Sequence, residues 1–303
     1  MTNQPLVSII TVNYNQSEVT CDLLSSLRHI TYKNIEIIVV DNNSTKDNPS
    51  IIKKRFPEIV FIESSINLGF AGGNNLGIKK SKGDFLMFLN NDTTVPKDFL
   101  EPLVNFMIEN PKVGIASPKI KFYWSPSTIQ YAGFTEMNPY TIRNHGIGYN
   151  KPDGPEYNII SKTAYVHGAA MIVPRRVIEE VGLIPEVYFL YYEEHDWVEM
   201  IKRAGYYVYY LPISYILHKE SVSTGRDSAF KTYYISRSRI IFARRNYKGL
   251  TRVANLIFQT FISLPKNVLI NLIKFNFKIA NAYIRSYIWN LLNYRALKQN
   301  PKL

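Results

Sequence analysis

The chain has 303 residues, enough to bury a large core as one or two domains, and its single cysteine, Cys21, excludes an internal disulfide. The first sixteen residues carry neither a basic segment nor an apolar segment of signal-peptide length, so a reducing, cytoplasmic location is expected. The net charge of +12 is uneven: residues 231–303 hold 14 lysines and arginines and no acid, whereas residues 1–230 hold 22 basic and 24 acidic residues. This asymmetry indicates a polyanionic partner, either nucleic acid or an anionic membrane surface.

The first ninety residues predict strands alternating with helices. Apolar runs that suit buried strands occur at residues 6–12, 35–40, 59–63 and 85–89. Between them, helical spacing or a glycine-rich helix entry predicts helices at residues 19–30, 51–56 and 68–77. Alternating elements with short connections are typical of a parallel sheet covered by helices.

The second half of the chain is less regular. Residues 120–163 show no clean periodicity and predict loops and short strands near a substrate. Strands are predicted at 164–173 and 206–217, and helices from Pro174 through Val181 and within 187–204. In the basic tail, a polar stripe from Asn267 to Arg285 predicts one amphipathic helix. No uncharged stretch reaches ~18 residues, so no transmembrane helix is predicted.

The buried strand 85–89 ends abruptly at Asn90-Asn91-Asp92. In open α/β sheets, ligands bind just beyond the carboxyl ends of such strands. A carboxylate there suits Mg²⁺ or Mn²⁺, which complete their coordination shells with substrate phosphates. Asp92 therefore indicates a nucleotide-diphosphate site. The alternative is a plain turn leading to a helix that Pro96 opens.

Asp41 follows the second predicted strand at the same sheet edge. A carboxylate there can accept a hydrogen bond from a ribose hydroxyl or a nucleobase N–H, and the alternative is that Asp41 caps a turn with Asn42 and Ser44. Residues 67–75 place three glycines ahead of a helix, where backbone N–H groups can approach a ligand. Their spacing is not G-x-G-x-x-G, which disfavours a dehydrogenase.

Three carboxylates, Glu193, Glu194 and Asp196, lie within four residues at the start of a predicted helix. The helix dipole accounts for one or two of them. Crowded like charges raise the pKa of at least one, and a carboxylate with a raised pKa is a candidate general base. His218 follows a strand and is either a structural residue or a metal or phosphate ligand.

Six motifs in this order resemble those of the family 2 glycosyltransferases with a GT-A fold, in particular the rhamnosyltransferase-like branch. They are VSIITVNYN at 7–15, IIVVDNNSTKD at 37–47, NLGFAGGNNLGI at 67–78, GDFLMFLNNDT at 83–93, GAAMIVPRRVIEEVG at 168–182 and YFLYYEEHDWVEMIKRAGY at 188–206. The resemblance covers about residues 5–247. It implies an α/β fold with a Rossmann-like, mostly parallel sheet flanked by helices. We expect a GT-A domain over residues 1–249, with a nucleotide-sugar half at about 1–118 and an acceptor half at about 119–249, followed by a basic amphipathic helical tail at 250–303.

The resemblance implies an inverting, metal-dependent transfer of a sugar, rhamnose among the candidates, from a UDP- or dTDP-linked donor. By position, Asp41 binds the nucleoside, Asn91 lies near the ribose, and Asp92 with His218 holds Mg²⁺ or Mn²⁺. Glu194 takes the place of the general base, and Asp196 is the second catalytic candidate. The nucleotide-sugar-binding candidates are Thr11, Asn13, Asp41, Asn43, Asn67, Gly69, Gly73, Asn74, Asn90, Asn91 and Asp92. The chain departs from the family pattern in having a single carboxylate at 90–92, and in having Glu rather than the commoner Asp at position 194.

The expected partners are a nucleotide-sugar donor and a glycan or lipid-linked acceptor of cell-envelope polysaccharide synthesis. We also expect an anionic membrane surface at the inner face of the cell membrane, contacted by the tail as an in-plane anchor. Alternatively the tail packs on its own domain or on a second subunit of a homo-oligomer. A nucleic-acid partner is disfavoured because the tail has no recognised motif and the body is near neutral. A non-catalytic nucleotide-sugar-binding module is the alternative function, against which the acids at 194 and 196 argue.

Overall fold

The computed structural model describes residues 4–219 and 228–294. The strands are β1 (Val7–Asn13), β2 (Ile35–Asp41), β3 (Val60–Glu63), β4 (Phe85–Leu89), β5 (Thr93–Thr94), β6 (Val113–Phe122), β7 (Ser125–Tyr131), β8 (Lys151–Pro152), β9 (Ser161–Lys162), β10 (Ala170–Pro174) and β11 (Tyr207–His218). The helices are α1 (Ser17–Leu27), α2 (Ser50–Arg55), α3 (Gly69–Lys80), α4 (Leu100–Glu109), α5 (Arg175–Val181), α6 (Glu193–Arg203), α7 (Ala229–Asn246), α8 (Gly249–Ile257), α9 (Leu264–Ile273) and α10 (Phe277–Leu292). A π-helical segment, Phe258–Ser263, joins α8 to α9.

One mixed sheet organises the molecule, in the order β3-β2-β1-β4-β10-β6-β11-β5. Strands β1 to β4 are parallel, as the alternating pattern predicts, and each is separated from the next by a helix. β10 then runs antiparallel to both β4 and β6, and β11 runs parallel to β6. The α/β fold with a mostly parallel, helix-flanked sheet is thereby confirmed.

Alternate side chains of the central strands supply two hydrophobic layers. Val39 faces the layer that α1, α2 and α4 cover, whereas Ile38 and Val40 face the layer covered by α3, α5, α6 and α7. Helix α3 approaches the sheet closely because it lacks side chains where it crosses β1. A Cβ atom on Gly73 would lie 2.9 Å from Val12 Cγ1, and one on Gly77 would lie 2.5 Å from Ile10 Cγ2. These contacts fix α3 beside the carboxyl ends of β1 and β2.

Three predicted elements differ from the structure. The strand predicted at 164–173 forms only over β10, because residues 164–169 leave the sheet, and this departure carries His167 and Gly168 toward the carboxyl end of β4. The helix after Asp92 begins at Leu100 rather than at Pro96. The single tail helix predicted over 267–285 is wrong: it breaks between α9 and α10, where Phe275 has a positive φ of 57° and the Asn276 N–H donates to the Asn271 carbonyl at 2.7 Å.

The C-terminal helices contact the rest of the protein, and the contact between α10 and α7 is extensive. This helix packs along α7, where Asn290 Nδ2 donates to the Arg237 carbonyl at 3.1 Å and Arg244 donates to the Asn290 carbonyl at 2.6 Å. Within the described residues, one continuous helix, Gly249–Ile273, is long and apolar enough to cross a membrane by length and composition alone, and little of it is buried. The sequence prediction missed this length because it considered only uncharged stretches.

Candidate active site

A cavity of about 420 Å³ opens beyond the carboxyl ends of β1 and β4, a volume within the usual range for small-molecule sites. One wall comes from Asn42, the 67–74 segment and the Asn90-Asn91-Asp92 turn. The rest of the lining includes His167 to Ala169, the segment 189–194 and the first turn of α7, and it meets the first wall where the Asn90 N–H donates to the Ala169 carbonyl at 3.0 Å. The sheet edge predicted to hold the ligand therefore borders the cavity.

Asp92 and His218 meet through a short strand pairing. β5 pairs antiparallel with β11 so that Thr93 lies opposite His218, and the Lys219 N–H donates to the Asp92 carbonyl at 2.9 Å. As a result His218 Nε2 lies 3.0 Å from Asp92 Oδ1, with both side chains buried at the cavity wall. The structure therefore brings together the two residues that were predicted as metal ligands.

Gln130 determines which way the His218 ring faces. Its Oε1 lies 2.7 Å from His218 Nδ1, so a tautomer protonated at Nδ1 donates this bond and turns the lone pair of Nε2 toward the Asp92 carboxylate. In that tautomer two electron-rich atoms lie 3.0 Å apart and are stabilised by a proton or a cation between them. The donor set therefore fits a divalent metal ion.

The metal site has few protein ligands. Across residues 4–219 and 228–294 there is no group of three or more His, Cys, Asp or Glu side chains that could hold an ion. Mg²⁺ and Mn²⁺ are commonly held by one or two protein groups together with substrate phosphates. Asp92 and His218 thus fit an ion that substrate oxygens complete.

Side-chain amides form the part of the cavity that is predicted to bind the nucleotide sugar. Asn42 Nδ2 donates to Asn67 Oδ1 and to the Gly69 carbonyl, both at 3.0 Å, and its Oδ1 accepts from the Leu68 N–H at 2.9 Å. These bonds hold the glycine-rich entry of α3 against the end of β2. Asn67, Gly69 and Asn74 line the cavity, as predicted, and Asn42 joins them although the sequence analysis did not select it as a ligand.

A buried polar network lies behind this wall. Asp41 Oδ1 accepts from Asn13 Nδ2 at 2.7 Å and from the Ser44 hydroxyl at 2.6 Å, and its Oδ2 accepts from the Ser44 N–H. Thr20 donates to Asn13 Oδ1 at 2.7 Å and accepts from Asn91 Nδ2 at 3.1 Å. The network joins β1, β2 and α1 to the Asn-Asn-Asp turn, so it supports the turn that carries Asp92.

Several predicted nucleotide-sugar ligands do not line the cavity. Asp41 and Asn13 belong to the buried network, and Asp41 adopts the turn-capping role that the sequence left open. Gly73 brings α3 against Val12 instead of opening the backbone to a ligand. Thr11 is fully buried on β1, and Asn43 holds a positive φ of 64° in the turn after β2. The structure does not place these five residues on the cavity wall, and their binding roles stay predictions.

Glu194 reaches the cavity from the first turn of α6. Its Oε1 lies 3.1 Å from Nδ1 of His195, whose ring packs against Tyr165 with centroids 4.7 Å apart. On the far side of the ring, Nε2 lies 3.4 Å from Asn144 Nδ2. Burial acts to raise the pKa of the Glu194 carboxyl, but His195, a backbone hydrogen bond and His167 together hold that pKa below its usual value. Glu194 is thus ionised at neutral pH.

Glu193 has the opposite electrostatics. Burial, and then the charge of Glu194, raise the pKa of its carboxyl well above the usual range, as the crowding of carboxylates predicts. We expected the base to be the carboxylate with the raised pKa. Instead the carboxyl with the raised pKa is Glu193, whereas the adjacent Glu194 has a lowered pKa. The pKa values of the two neighbours are therefore shifted in opposite directions.

The backbone before α6 is strained. Phe189, Tyr191 and Tyr192 hold positive φ angles of 66°, 65° and 74°, a conformation that bulky residues seldom adopt. The Phe189 carbonyl accepts from the Phe70 N–H at 2.9 Å, and a Cβ on Gly69 would lie 2.0 Å from that carbonyl oxygen. Gly69 therefore permits the donor segment and the segment carrying Glu194 to touch.

Asp196 does not reach the cavity. Its side chain is fully buried, where it forms an ion pair with Arg245 and accepts from Asn246 Nδ2 at 2.7 Å. The catalytic assignment of Asp196 is therefore not supported, because its carboxylate is directed into the contact between α6 and α7. Glu194 alone of the two lies where a substrate can reach it.

The sequence analysis did not select three further cavity residues, Gln130, His167 and Lys231. Gln130 and His167 fall in or beside the segment without periodicity, and Lys231 begins the basic region that was interpreted only as a tail. Burial, followed by the neighbouring His218, lowers the pKa of His167 to about 3, so this ring is neutral. No spacing signal marks any of the three.

The geometry of this cavity agrees with comparison to known proteins. Residues 8–167 match the model of the family described as glycosyl transferase family 2. The chain therefore belongs to glycosyltransferase family 2, and it is a glycosyltransferase that uses nucleotide sugars.

Two relatives are similar over most of their length. The low-salt glycan biosynthesis hexosyltransferase Agl10 of Haloferax volcanii is 26% identical over 263 residues, which is 85% of this chain and 82% of the relative. An N-acetylglucosaminyl-diphospho-decaprenol L-rhamnosyltransferase of Mycobacterium tuberculosis is 24% identical over 267 residues, 82% of this chain and 87% of the relative. Their names agree with the branch that the motifs resemble.

A mannosyltransferase from Pyrobaculum calidifontis, solved in complex with GDP-Man and Mn²⁺, shares the fold. Its TM-score is 0.58 at 16% identity, and the match covers 96% of this chain and 88% of that structure. The chain spans 43% and 54% of two other structures of this fold.

Proposed function

We propose that this glycosyltransferase inverts the anomeric carbon of a sugar that it transfers from a UDP- or dTDP-linked donor to an acceptor hydroxyl. The observation that carries the proposal is that Glu194, whose pKa is lowered, lines the same cavity as the Asp92–His218 pair. A base and diphosphate ligands in one cavity are what a single in-line displacement requires.

Glu194 takes the proton from the acceptor hydroxyl as that oxygen attacks the anomeric carbon. The bond between the anomeric carbon and the diphosphate oxygen breaks on the opposite face, and the electron pair leaves with the nucleoside diphosphate. One displacement inverts the anomeric centre, so a single carboxylate suffices and no covalent sugar–enzyme bond forms. The raised pKa of the neighbouring Glu193 favours its neutral form, whereas the lowered pKa of Glu194 favours the ionised form.

Asp92 and His218 are the residues that would hold a divalent ion, Mg²⁺ or Mn²⁺, together with the donor diphosphate. When bound, the ion supplies positive charge against the negative charge that develops on the leaving diphosphate. Lys231, in the first turn of α7, brings a basic side chain to the same cavity. Asn67, Gly69, Asn74, Asn90 and Asn91 also line this cavity and orient the donor.

The acceptor we propose is a glycan or a lipid-linked sugar of cell-envelope polysaccharide synthesis, and the enzyme works at the inner face of the cell membrane. The rhamnosyltransferase relative, whose name specifies a decaprenol-linked acceptor, supports a lipid-linked acceptor and dTDP-rhamnose as a donor to test. We divide the chain into a donor half at 1–118, an acceptor half at 119–249 and the tail at 250–303. The placement of Asp92 in one half and Glu194 in the other supports this division.

Thermal unfolding with a panel of UDP- and dTDP-sugars tests donor binding, because a ligand that binds only the folded state raises the unfolding temperature. We expect one donor to stabilise the protein more with Mn²⁺ than with EDTA. Proton NMR of the product from that donor should show an anomeric configuration opposite to that of the donor. Retention of configuration, or no stabilisation by any nucleotide sugar, would overturn the proposal.

A further inference from the structure

The C-terminal helices present large apolar side chains to the solvent. More than half of the exposed large apolar side chains among the described residues lie between Gly249 and Tyr294. Leu250 is 88% exposed, Phe261 73% and Phe275 80%. Single exposed apolar residues are ordinary, but a contiguous set marks an interaction surface.

The polar side chains of the same helices face the protein. Asn255, Gln259 and Ser263, four residues apart along α8 and the π-helical segment, are buried. Asn255 Nδ2 donates to the Tyr140 carbonyl at 2.5 Å, and Gln259 Nε2 donates to the Thr141 carbonyl at 2.9 Å. Leu250 and Phe261, by contrast, remain in contact with solvent.

The same inversion occurs in α10. Ser286 and Asn290 are fully or almost fully buried, and Asn290 bonds to α7 as described above. Leu291 and Leu292, directly after them, are 72% and 80% exposed. An ordinary surface helix of a water-soluble protein buries its apolar stripe and exposes its polar one. The α8 and π-helical segment has the opposite arrangement, α9 buries no residue, and α10 buries Ala280 and Ala282 beside Ser286 and Asn290 while Leu291 and Leu292 stay exposed.

The charge of this surface has one sign. Between Gly249 and Tyr294 there is no Asp or Glu, and the charged residues are Arg252, Lys266, Lys274, Lys278 and Arg285. Apolar side chains interspersed with basic ones are the composition of segments that lie in the interface of an anionic bilayer. We infer that residues 249–294 form an in-plane docking surface for an anionic lipid bilayer.

The contacts of the helix Gly249–Ile273 favour lying in the interface over spanning the bilayer. A spanning helix needs ~20 residues surrounded by hydrocarbon or by other spanning segments. Here the polar face of α8 is bonded to the 140–141 turn, and the Tyr287 hydroxyl donates to the Gln259 carbonyl. Only the opposite, apolar face is therefore available to lipid.

This surface adjoins the acceptor side of the cavity. The turn that receives Asn255 and Gln259 continues to Ile142, whose carbonyl accepts from the Tyr192 hydroxyl at 2.8 Å, and to Asn144, which approaches His195. Lipid contacting α8 would thus lie on the side from which an acceptor reaches Glu194. The purpose of the surface, delivery of a lipid-linked acceptor, rests on the proposed function, whereas lipid binding itself does not.

The test is flotation of the full-length protein with phosphatidylcholine vesicles, with and without phosphatidylglycerol. We expect flotation with the anionic vesicles at low salt and release at high salt. Replacing Leu250, Phe261 and Phe275 together by Ser should lower the partition coefficient at least tenfold, since each loses apolar surface that lipid would cover. Lys274→Gln and Lys278→Gln should each lower it about fivefold, which corresponds to ~1 kcal/mol per charge near the membrane.

The matched control is Ile108→Ser, which removes an exposed apolar side chain from α4, on the face of the sheet opposite to α7. It should float like the wild type. The inactive Glu194→Gln variant should float as well, so that a failure of the transfer chemistry is distinguished from a failure of docking. The inference is overturned if the wild type does not float with anionic vesicles, or if the triple Ser variant floats equally well. It is also overturned if light scattering shows a dimer that the triple variant dissociates, because a second copy would then cover the surface.

Discussion

Glu194→Gln should impair catalysis and Asp196→Asn should impair stability, although the two residues are only two positions apart. Glutamine keeps the shape of Glu194 but cannot take a proton, so we expect kcat to fall by ~10²- to 10⁴-fold, the usual contribution of general-base catalysis. Because Glu194 sits at the cavity wall and not in the core, its replacement should leave the free energy of unfolding nearly unchanged. Donor binding should also be preserved.

Asp196→Asn should act on stability instead. The carboxylate is fully buried and forms an ion pair with Arg245, and removing one partner of a buried ion pair costs ~3–5 kcal/mol. The amide retains one oxygen that can accept from Asn246, so we expect the lower end of that range, ~3 kcal/mol. The fraction that remains folded should transfer sugar at close to the wild-type rate.

Both variants are measured by urea unfolding and by kcat and KM at a temperature where each is folded. Comparing kcat per folded molecule separates a lost base from a lost ion pair. The reasoning is refuted if Asp196→Asn is as stable as the wild type but inactive, while Glu194→Gln retains full turnover. In that case Asp196 would be the base, and the buried ion pair would be incidental to stability.

Four further substitutions test other parts of the site. Asp92→Asn should abolish transfer and remove the Mn²⁺-dependent part of nucleotide binding in calorimetry. His218→Ala should weaken the same binding. Full activity of the Asp92 variant with Mg²⁺ or Mn²⁺ would disprove the metal assignment. His195→Phe removes the ring that contributes most to lowering the pKa of Glu194, whereas burial still raises that pKa. The acidic limb of the pH profile of kcat/KM should therefore move to higher pH. An unmoved limb would show that the ring has no electrostatic role. Gly69→Ala should destabilise the fold by at least ~1–2 kcal/mol because Gly69 has a positive φ of 71°. It should also weaken donor binding, because the added Cβ displaces the segment before α6. Unchanged urea unfolding and donor affinity would contradict the close contact between Gly69 and that segment.

The sequence predicted the first four strands well, because continuous apolar runs that end in polar residues have few other interpretations. It placed Asp92 and Glu194 by motif order, and the structure puts both in one cavity. The pairing of β5 with β11, which brings His218 to Asp92, involves strands separated by more than a hundred residues and leaves no local signal. The candidate role of His218 could be recognised, whereas the role of Gln130 in orienting its ring could not.

The errors have a common physical origin in tertiary context. A turn rich in Asn and Asp offers the same residues to a ligand or to the backbone; at Asp41 local hydrogen bonds reach both carboxylate oxygens, and the nucleoside-binding role stays a prediction. The three acids at 193–196 are equivalent in sequence, but α6 directs Asp196 toward Arg245 and Glu194 toward the cavity. Periodicity also could not show the break at Phe275, because the polar stripe continues in register across it.

The segment between Asn138 and His145 connects the three features on which the proposals depend. Its carbonyls at Tyr140 and Thr141 receive the polar face of α8 and the π-helical segment, and its Ile142 carbonyl receives the Tyr192 hydroxyl at the start of α6. Asn144 approaches the ring that stands beside Glu194. Because these contacts are all made by one short segment of the chain, a lipid surface held against the outer face of α8 lies at a fixed position relative to Glu194. In the proposed reaction, an acceptor whose hydroxyl is carried on a lipid would then approach Glu194 from a defined direction.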